Sequence, residues 1–383
     1  MDMTSTVKQD VLLDDSKSND YFVYCIELLL YFSMACRIFG TQFGVLNIKG
    51  LSCEIILDSE ATAFIFMLCR NEKIPVSIYF ALVINLIANV TDLYVYEIFS
   101  RNMVYWLSFL MMACFVVRNE QALFRFILFL STAVLFSVYL GGEFYGHSLG
   151  ISRLGLAQDS AGSMFANPNA LAQVAALTAI AMFFYSLRAG FALKLFCLVI
   201  AIALSAIVLM TLSRTGLAVL ALGLLFYAIA VLSGRKGLVD LLVLSLLVVV
   251  AATAFATQFE NITTGYYYRM QEESDRTAYW QTAAMDIRDT LFSGQGSYAG
   301  FSSTGIKPHN TFLWLHLAFG GLCAWFYVVW ILWLGWAVFR GLLQKDLSSA
   351  EKLELLAFFS MFFAVQFVAI FAPANFGFVL GVA

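Results

Sequence analysis

A chain of 383 residues that is 61% hydrophobic and only 12% charged has far fewer charges than a soluble globular domain, and its class is that of a membrane protein. A net charge of -3 supplies no basic field for nucleic acid. The seven cysteines are scattered, mostly in apolar runs and with no C-x-x-C pair, so they fit small core residues better than a disulfide framework or a metal site.

Residues 1–20 are polar and acidic and form a tail without a cleavable signal peptide. Apolar segments of spanning length then recur, and the chain from 21 to 383 is expected to be one transmembrane domain. The spans fall at 21–39, 59–70, 75–92, 102–117, 121–140, 168–187, 191–212, 215–233, 238–256, 311–339 and 353–372. The second is short, and the residues after Pro373 are too few for another. All four prolines (75, 168, 308 and 373) sit at segment ends, where a missing N–H costs least. The expected fold is an all-α polytopic bundle of about 11–12 transmembrane helices with one long external loop.

Lys and Arg in short loops set the orientation. Arg70–Lys73, Arg118–Arg125, Arg188–Lys194, Arg235–Lys236 and Arg340–Lys352 all fall on one side when the spans alternate, and that side is cytoplasmic. The opposite side receives 40–58, 93–101, 141–167, the turn at 213–215 and the longest loop, 257–310.

The unusual chemistry collects on that outer face. In "SRLGLAQDSAGSMFANPNALAQ", Asn167 or Asn169 can cap a helix that Pro168 opens, and Arg153 is an external cation. "TLSRTGL" places Arg214 at a tight turn, with no acidic residue in sequence between Asp159 and Asp240. A snorkelling anchor would account for Arg214; an anion site using its planar fork would too. The long loop carries an amphipathic helix over 274–287 and then Gly294, Gly296 and Gly300, a flexible turn and no dinucleotide fingerprint. Arg269 and Arg276 share a face if helix continues between them, and Glu272, Glu273 and Asp275 offer them solvated ion pairs. The aromatics beside these charges suit an interfacial helix or a sugar-stacking surface.

Two of the three histidines lie in "IKPHNTFLWLHLAFGGL". His309 precedes a helix that starts near Asn310, and external cations favour its neutral, basic form. His316 falls near the same face but deeper along the span, in a packing or supporting role, and His147 belongs to a loop. Glu27 is the main charge inside a span, and Asn85 and Asn89 are expected to join helices.

Three stretches in this order resemble the bacterial O-antigen ligase and Wzy-type polymerase superfamily. They are R-x-x-G followed by N-P-N over 153–169, S-R-T-G over 213–216, and a late loop with R-x-x-x-W (Arg276–Trp280), L-F-x-G-x-G (Leu291–Gly296) and H-N-x-x-L (His309–Leu313). The resemblance covers about 150–325; the earlier spans match in hydropathy alone. It implies a multi-pass protein of the bacterial inner membrane with its active site facing the periplasm. Without metal or cofactor, the enzyme would move a glycan from undecaprenyl pyrophosphate to an acceptor hydroxyl, on the lipid A core for a ligase or on another lipid-linked repeat unit for a polymerase. By that resemblance His309 is the catalytic residue and Arg214, Arg276 and Arg153 hold pyrophosphate, with Asn310, Arg269 and Trp280 supporting. The implied partners are the lipid-linked donor, the glycan or lipid A core acceptor and membrane lipids. A lipid-linked glycan flippase is the rival, although transporters place ionisable groups near the midplane; a binding protein without catalysis is a third reading.

The topology is directly testable. In a background lacking native cysteines, a cysteine at position 274 should react with an impermeant maleimide in intact cells, and one at 235 should not. The reverse pattern would invert the orientation.

Overall fold

The computed structural model describes residues 24–31, 76–96, 120–146, 152–156, 167–233, 256–271, 276–289, 294–296 and 310–344, with positions 352 and 356. Expected spans at 59–70 and 102–117 lie outside the described residues, as do all but one residue each of 238–256 and 353–372 and most of 21–39. The described elements are α1 (residues 24–31), α2 (Val76–Tyr96), α3 (Glu120–Gly141), β1 (Gly142–Gly146), β2 (Ser152–Leu156), α4 (Pro168–Ser186), α5 (Phe191–Met210), α6 (Arg214–Ser233), α7 (Ala256–Gln271), α8 (Arg276–Asp289), α9 (Thr311–Phe319) and α10 (Gly321–Leu342).

Among the described residues, five helices are long and apolar enough to cross a membrane: Gln121–Gly141, Pro168–Ser186, Phe191–Met210, Arg214–Leu232 and Gly321–Gly341. The first four coincide with expected spans because about 20 apolar residues between punctuating Pro, Gly and Arg leave little freedom in register. α2 occupies the expected 75–92 span and carries a shorter apolar stretch, Leu82–Val95.

Two features depart from the expectation. The chain is not all-helical: inside the presumed loop 141–167, β1 and β2 form an antiparallel hairpin pairing Tyr145 with Arg153 and Phe144 with Leu154. The 311–339 segment is also not one helix. It breaks at Gly320, whose φ of 84° lies where a side chain is disfavoured, and α10 starts at the next residue. A Gly-Gly pair in an apolar run thus ends one helix and begins another.

α4 is the central helix. It is buried on nearly every face, with Leu171, Val174, Ile180 and Met182 fully enclosed, and it packs on α3, α5 and α6. Close approach comes from small residues, as is usual where lipid removes the hydrophobic drive between helices. A Cβ on Gly216 would come within 2.7 Å of Ala172 Cβ, and one on Gly223 within 2.2 Å of Ile180 Cγ1. These two contacts advance together along both chains, so α4 and α6 run parallel and start at the same end.

A second core joins α1, α2, α9 and α10 through Leu30, Ile84, Leu315, Phe319 and Trp330, and Phe126 of α3 packs against both cores. The strongest polar tie at this junction is Glu27, buried to 2% exposure. Arg125 grips it bidentately from α3 through Nε at 2.7 Å and Nη2 at 2.6 Å. Tyr31 donates to the same carboxylate, and the guanidinium lies 5.4 Å over the Tyr24 ring. Arg125, placed by sequence in a basic loop, is therefore part of a helix and an ion pair.

The two partners are not equally replaceable. Losing Arg125 strands a buried carboxylate, whereas Arg125 has 37% side-chain exposure and can turn outward if Glu27 is neutralised. Arg125→Met should cost about 3 kcal/mol, visible as a lowered unfolding midpoint in detergent, and Glu27→Gln should cost clearly less. Equal losses would show that the pair contributes only geometry.

Candidate functional site

α4 and α6 bring two helix N-termini to one end of the bundle. At the first, Asn167 caps α4: its side-chain oxygen accepts from Asn169 N at 2.9 Å and its carbonyl from Leu171 N at 3.0 Å. At the second, Ser213 caps α6, with Oγ accepting from Gly216 N at 3.2 Å and its carbonyl from Leu217 N at 2.9 Å. Arg214 is the first residue of α6. Each N-terminus carries roughly half a positive charge, and parallel packing keeps both together.

Arg153 is brought to the same place by the hairpin. Leu154 and Leu156 of β2 are buried in the core, which anchors the strand beside α4 and α5. Arg153 Nε donates to the Thr211 carbonyl at 3.0 Å, and Nη2 to Asn169 Oδ1 at 3.3 Å. Thr211 caps the C-terminus of α5, where carbonyls lack intrahelical donors. One guanidinium therefore closes α5, holds the start of α4 and places its charge beside the turn that carries Arg214.

That turn is strained. Leu212 has φ 52°, a left-handed conformation rarely adopted by leucine. Its side chain is fully buried with Tyr266, and Ile262, Leu209 and Leu217 pack around the pair. Tyr266 Oη donates to Val208 O at 3.4 Å, which seats α7 over the turn. Burial raises the Tyr266 pKa, opposed by the nearby positive charge of Arg153. Three residues beyond this anchor, α7 carries Arg269; Tyr267 and Tyr268 stand exposed with ring centroids 5.7 Å apart.

A second group is built on α8 and α9, which pack together. Arg276 opens α8 and Trp280 follows one turn later. Asn310 caps α9, its Oδ1 accepting from Leu313 N at 3.1 Å. Gly294 and Gly296 turn out to be fixed, not flexible as their composition implied; Gly300 lies outside the described residues. Gln295 N donates to Leu317 O at 2.8 Å and Gly296 N to Ala318 O at 2.7 Å, so loop amides satisfy carbonyls at the C-terminal end of α9. A Cβ on Gly294 would lie 2.1 Å from Ala318 O, and Gly296 has φ 85°.

The structure thus brings Arg153 and Arg214 to one turn and sets the helices of Arg276, Trp280 and Asn310 side by side. Arg269 and Arg276 lie on separate helices, α7 ending at Gln271 and α8 beginning at Arg276. His309 and His147 lie outside the described residues. His316 is buried in the last turn of α9, edge-on to Phe312 at 6.1 Å, a packing environment like the one expected of it.

Sequence reading passed over Asn169 as a ligand of Arg153, Thr211, Tyr266 and one carboxylate. Asp92 of α2 is 1% exposed, on the stripe of Ile84 and Ala88 that enters the second core. Phe80 of α2 meets Trp333 of α10, and α2 also touches α9. Compared with known protein families, characterised proteins and solved structures, the chain matches none.

The glycine seat gives a clean contrast. Gly294→Ala must push the loop off α9, and overpacking of this kind costs about 1–3 kcal/mol or more. Limited proteolysis should cut the variant faster near residues 290–300. Gly190→Ala, where an added Cβ meets nothing within 4 Å, should behave as wild type.

Proposed function

We propose that this membrane protein is a glycosyltransferase of the O-antigen ligase type, moving a glycan from undecaprenyl pyrophosphate to an acceptor hydroxyl at the periplasmic face of the inner membrane. The observation that carries the reading is the convergence of Arg153, Arg214 and two parallel helix N-termini at one end of the spanning helices. Fixed positive charge at the mouth of a membrane bundle suits a lipid-linked pyrophosphate: the anion sits among the arginines while its polyprenyl tail stays between helices.

In the proposed reaction the acceptor oxygen bonds to the sugar C1 as the C1–O bond to phosphate breaks. The leaving charge on pyrophosphate is met by Arg214, held in place by the Ser213 cap, with Arg276 assisting. Arg153 has a positioning share, since two of its N–H groups already serve Thr211 and Asn169. His309, next to the capping Asn310, takes the acceptor proton. Tyr267 and Tyr268 offer exposed rings on which sugars can stack.

Purified protein supplied with lipid-pyrophosphate-glycan and acceptor should transfer glycan without ATP, metal or ion gradient. His309→Ala should lower turnover about 10²–10⁴-fold while donor still binds, and should remove the acidic limb of the pH profile. Arg214→Lys keeps a charge but loses the fork, and should weaken turnover strongly at normal membrane abundance. Wild-type rates in both variants would sink the reading. Accumulation of unsubstituted lipid A core in a null strain, in contrast to core bearing one repeat unit, marks a ligase as distinct from a polymerase.

A further inference from the structure

At the opposite end of α4, roughly 24 Å along its axis from Asn169, α3, α4 and α5 enclose a groove of about 400 Å³. Its lining includes Gln121 and Arg125 of α3, Arg188 in the α4–α5 turn, and the apolar surfaces of Phe124, Tyr185 and Leu193. Phe124 and Tyr185 pack with centroids 4.8 Å apart and form one wall. Two guanidiniums and an amide rim the groove, and among the described residues none that lines it is acidic. Arg125 is held by Glu27 and cannot leave; Arg188 is exposed at the rim. The apolar side continues outward, since Leu193 is 45% exposed and its neighbours Phe191, Leu195 and Phe196 are exposed as well.

A cationic rim above an apolar wall that opens onto lipid-facing residues matches one occupant. We propose that this groove binds an anionic phospholipid of the surrounding bilayer, its phosphate against Arg188 and Gln121 and its upper acyl chain along Phe124, Tyr185 and Leu193. The site is separate from the Arg153–Arg214 end and independent of the reading above. A free phosphate would use the rim but leave the apolar wall exposed, so the lipid is the better match to both halves. Bound there, it would tie together the ends of three helices that meet at the central α4.

The experiment is native mass spectrometry of the full-length protein released from mixed micelles holding phosphatidylglycerol and phosphatidylcholine with identical chains. A basic side chain near a headgroup favours an anionic lipid by about fivefold, so wild type should retain phosphatidylglycerol at least that much more. Arg188→Gln should bring the ratio down about fivefold without reducing phosphatidylcholine retention. Leu193→Trp, at a lipid-facing position that tolerates bulk, should lower retention of both lipids. Equal retention of the two lipids by wild type overturns the proposal, as does an unchanged ratio in Arg188→Gln. Full displacement of the lipid by millimolar inorganic phosphate would show an anion site without a lipid.

Discussion

The whole arrangement around Arg153 and Arg214 depends on how closely α6 can lie against α4. Helices in a bilayer gain little from hiding apolar surface from one another, so their association rests on fit. Gly216 and Gly223 remove the atoms that would otherwise meet Ala172 and Ile180. The parallel alignment that follows has an electrostatic cost, because two helix dipoles then point the same way. Like ends side by side repel weakly, and the repulsion falls when an anion occupies the space between them. A positive locus is thereby built from a packing constraint, with Arg153 and Arg214 adding charge to what the backbone already supplies.

The hairpin and α7 make that end rigid. Arg153 closes the carbonyl end of α5, and Leu212 is held in a conformation it would not choose by burial against Tyr266. A strained residue pinned by neighbours fixes where the next side chains emerge, and the next ones are Ser213 and Arg214. Asn169 is held in turn by Arg153. Few of these partners are near one another in sequence, which is why the arrangement needs the tertiary structure to exist.

What the sequence made legible follows from range. Spans at 121–140, 168–187, 191–212 and 215–233 emerged because hydropathy sums over many residues, and caps such as Asn167 and Asn310 because their chemistry acts within a turn. The break at Gly320 was hidden, since a glycine pair inside an apolar run looks the same whether it lets another helix approach or ends its own. The hairpin was hidden because β1 and β2 are short and glycine-containing, with pairing that no local signal announces. Gly294 was read as loose because composition reports backbone freedom, whereas its role comes from the Ala318 carbonyl beneath it. Glu27 was recognised as a buried charge, but its partner Arg125 lies too far along the chain for any periodicity to connect them.

The seating of residues 294–296 on α9 also bears on how the protein is made. α9 has nine residues, about half of what a membrane-spanning helix requires. Insertion machinery that selects segments by length and apolarity acts on α10 and has no reason to treat α9 as a span. α9 must then find its place after its neighbours are in the bilayer, guided by the loop amides that complete its carbonyl end and by the core formed with α2 and α10. On this account α9 itself is among the last parts of the molecule to be seated. A protein built in this order completes the packing of α8 on α9 only after its spanning helices are already in the membrane.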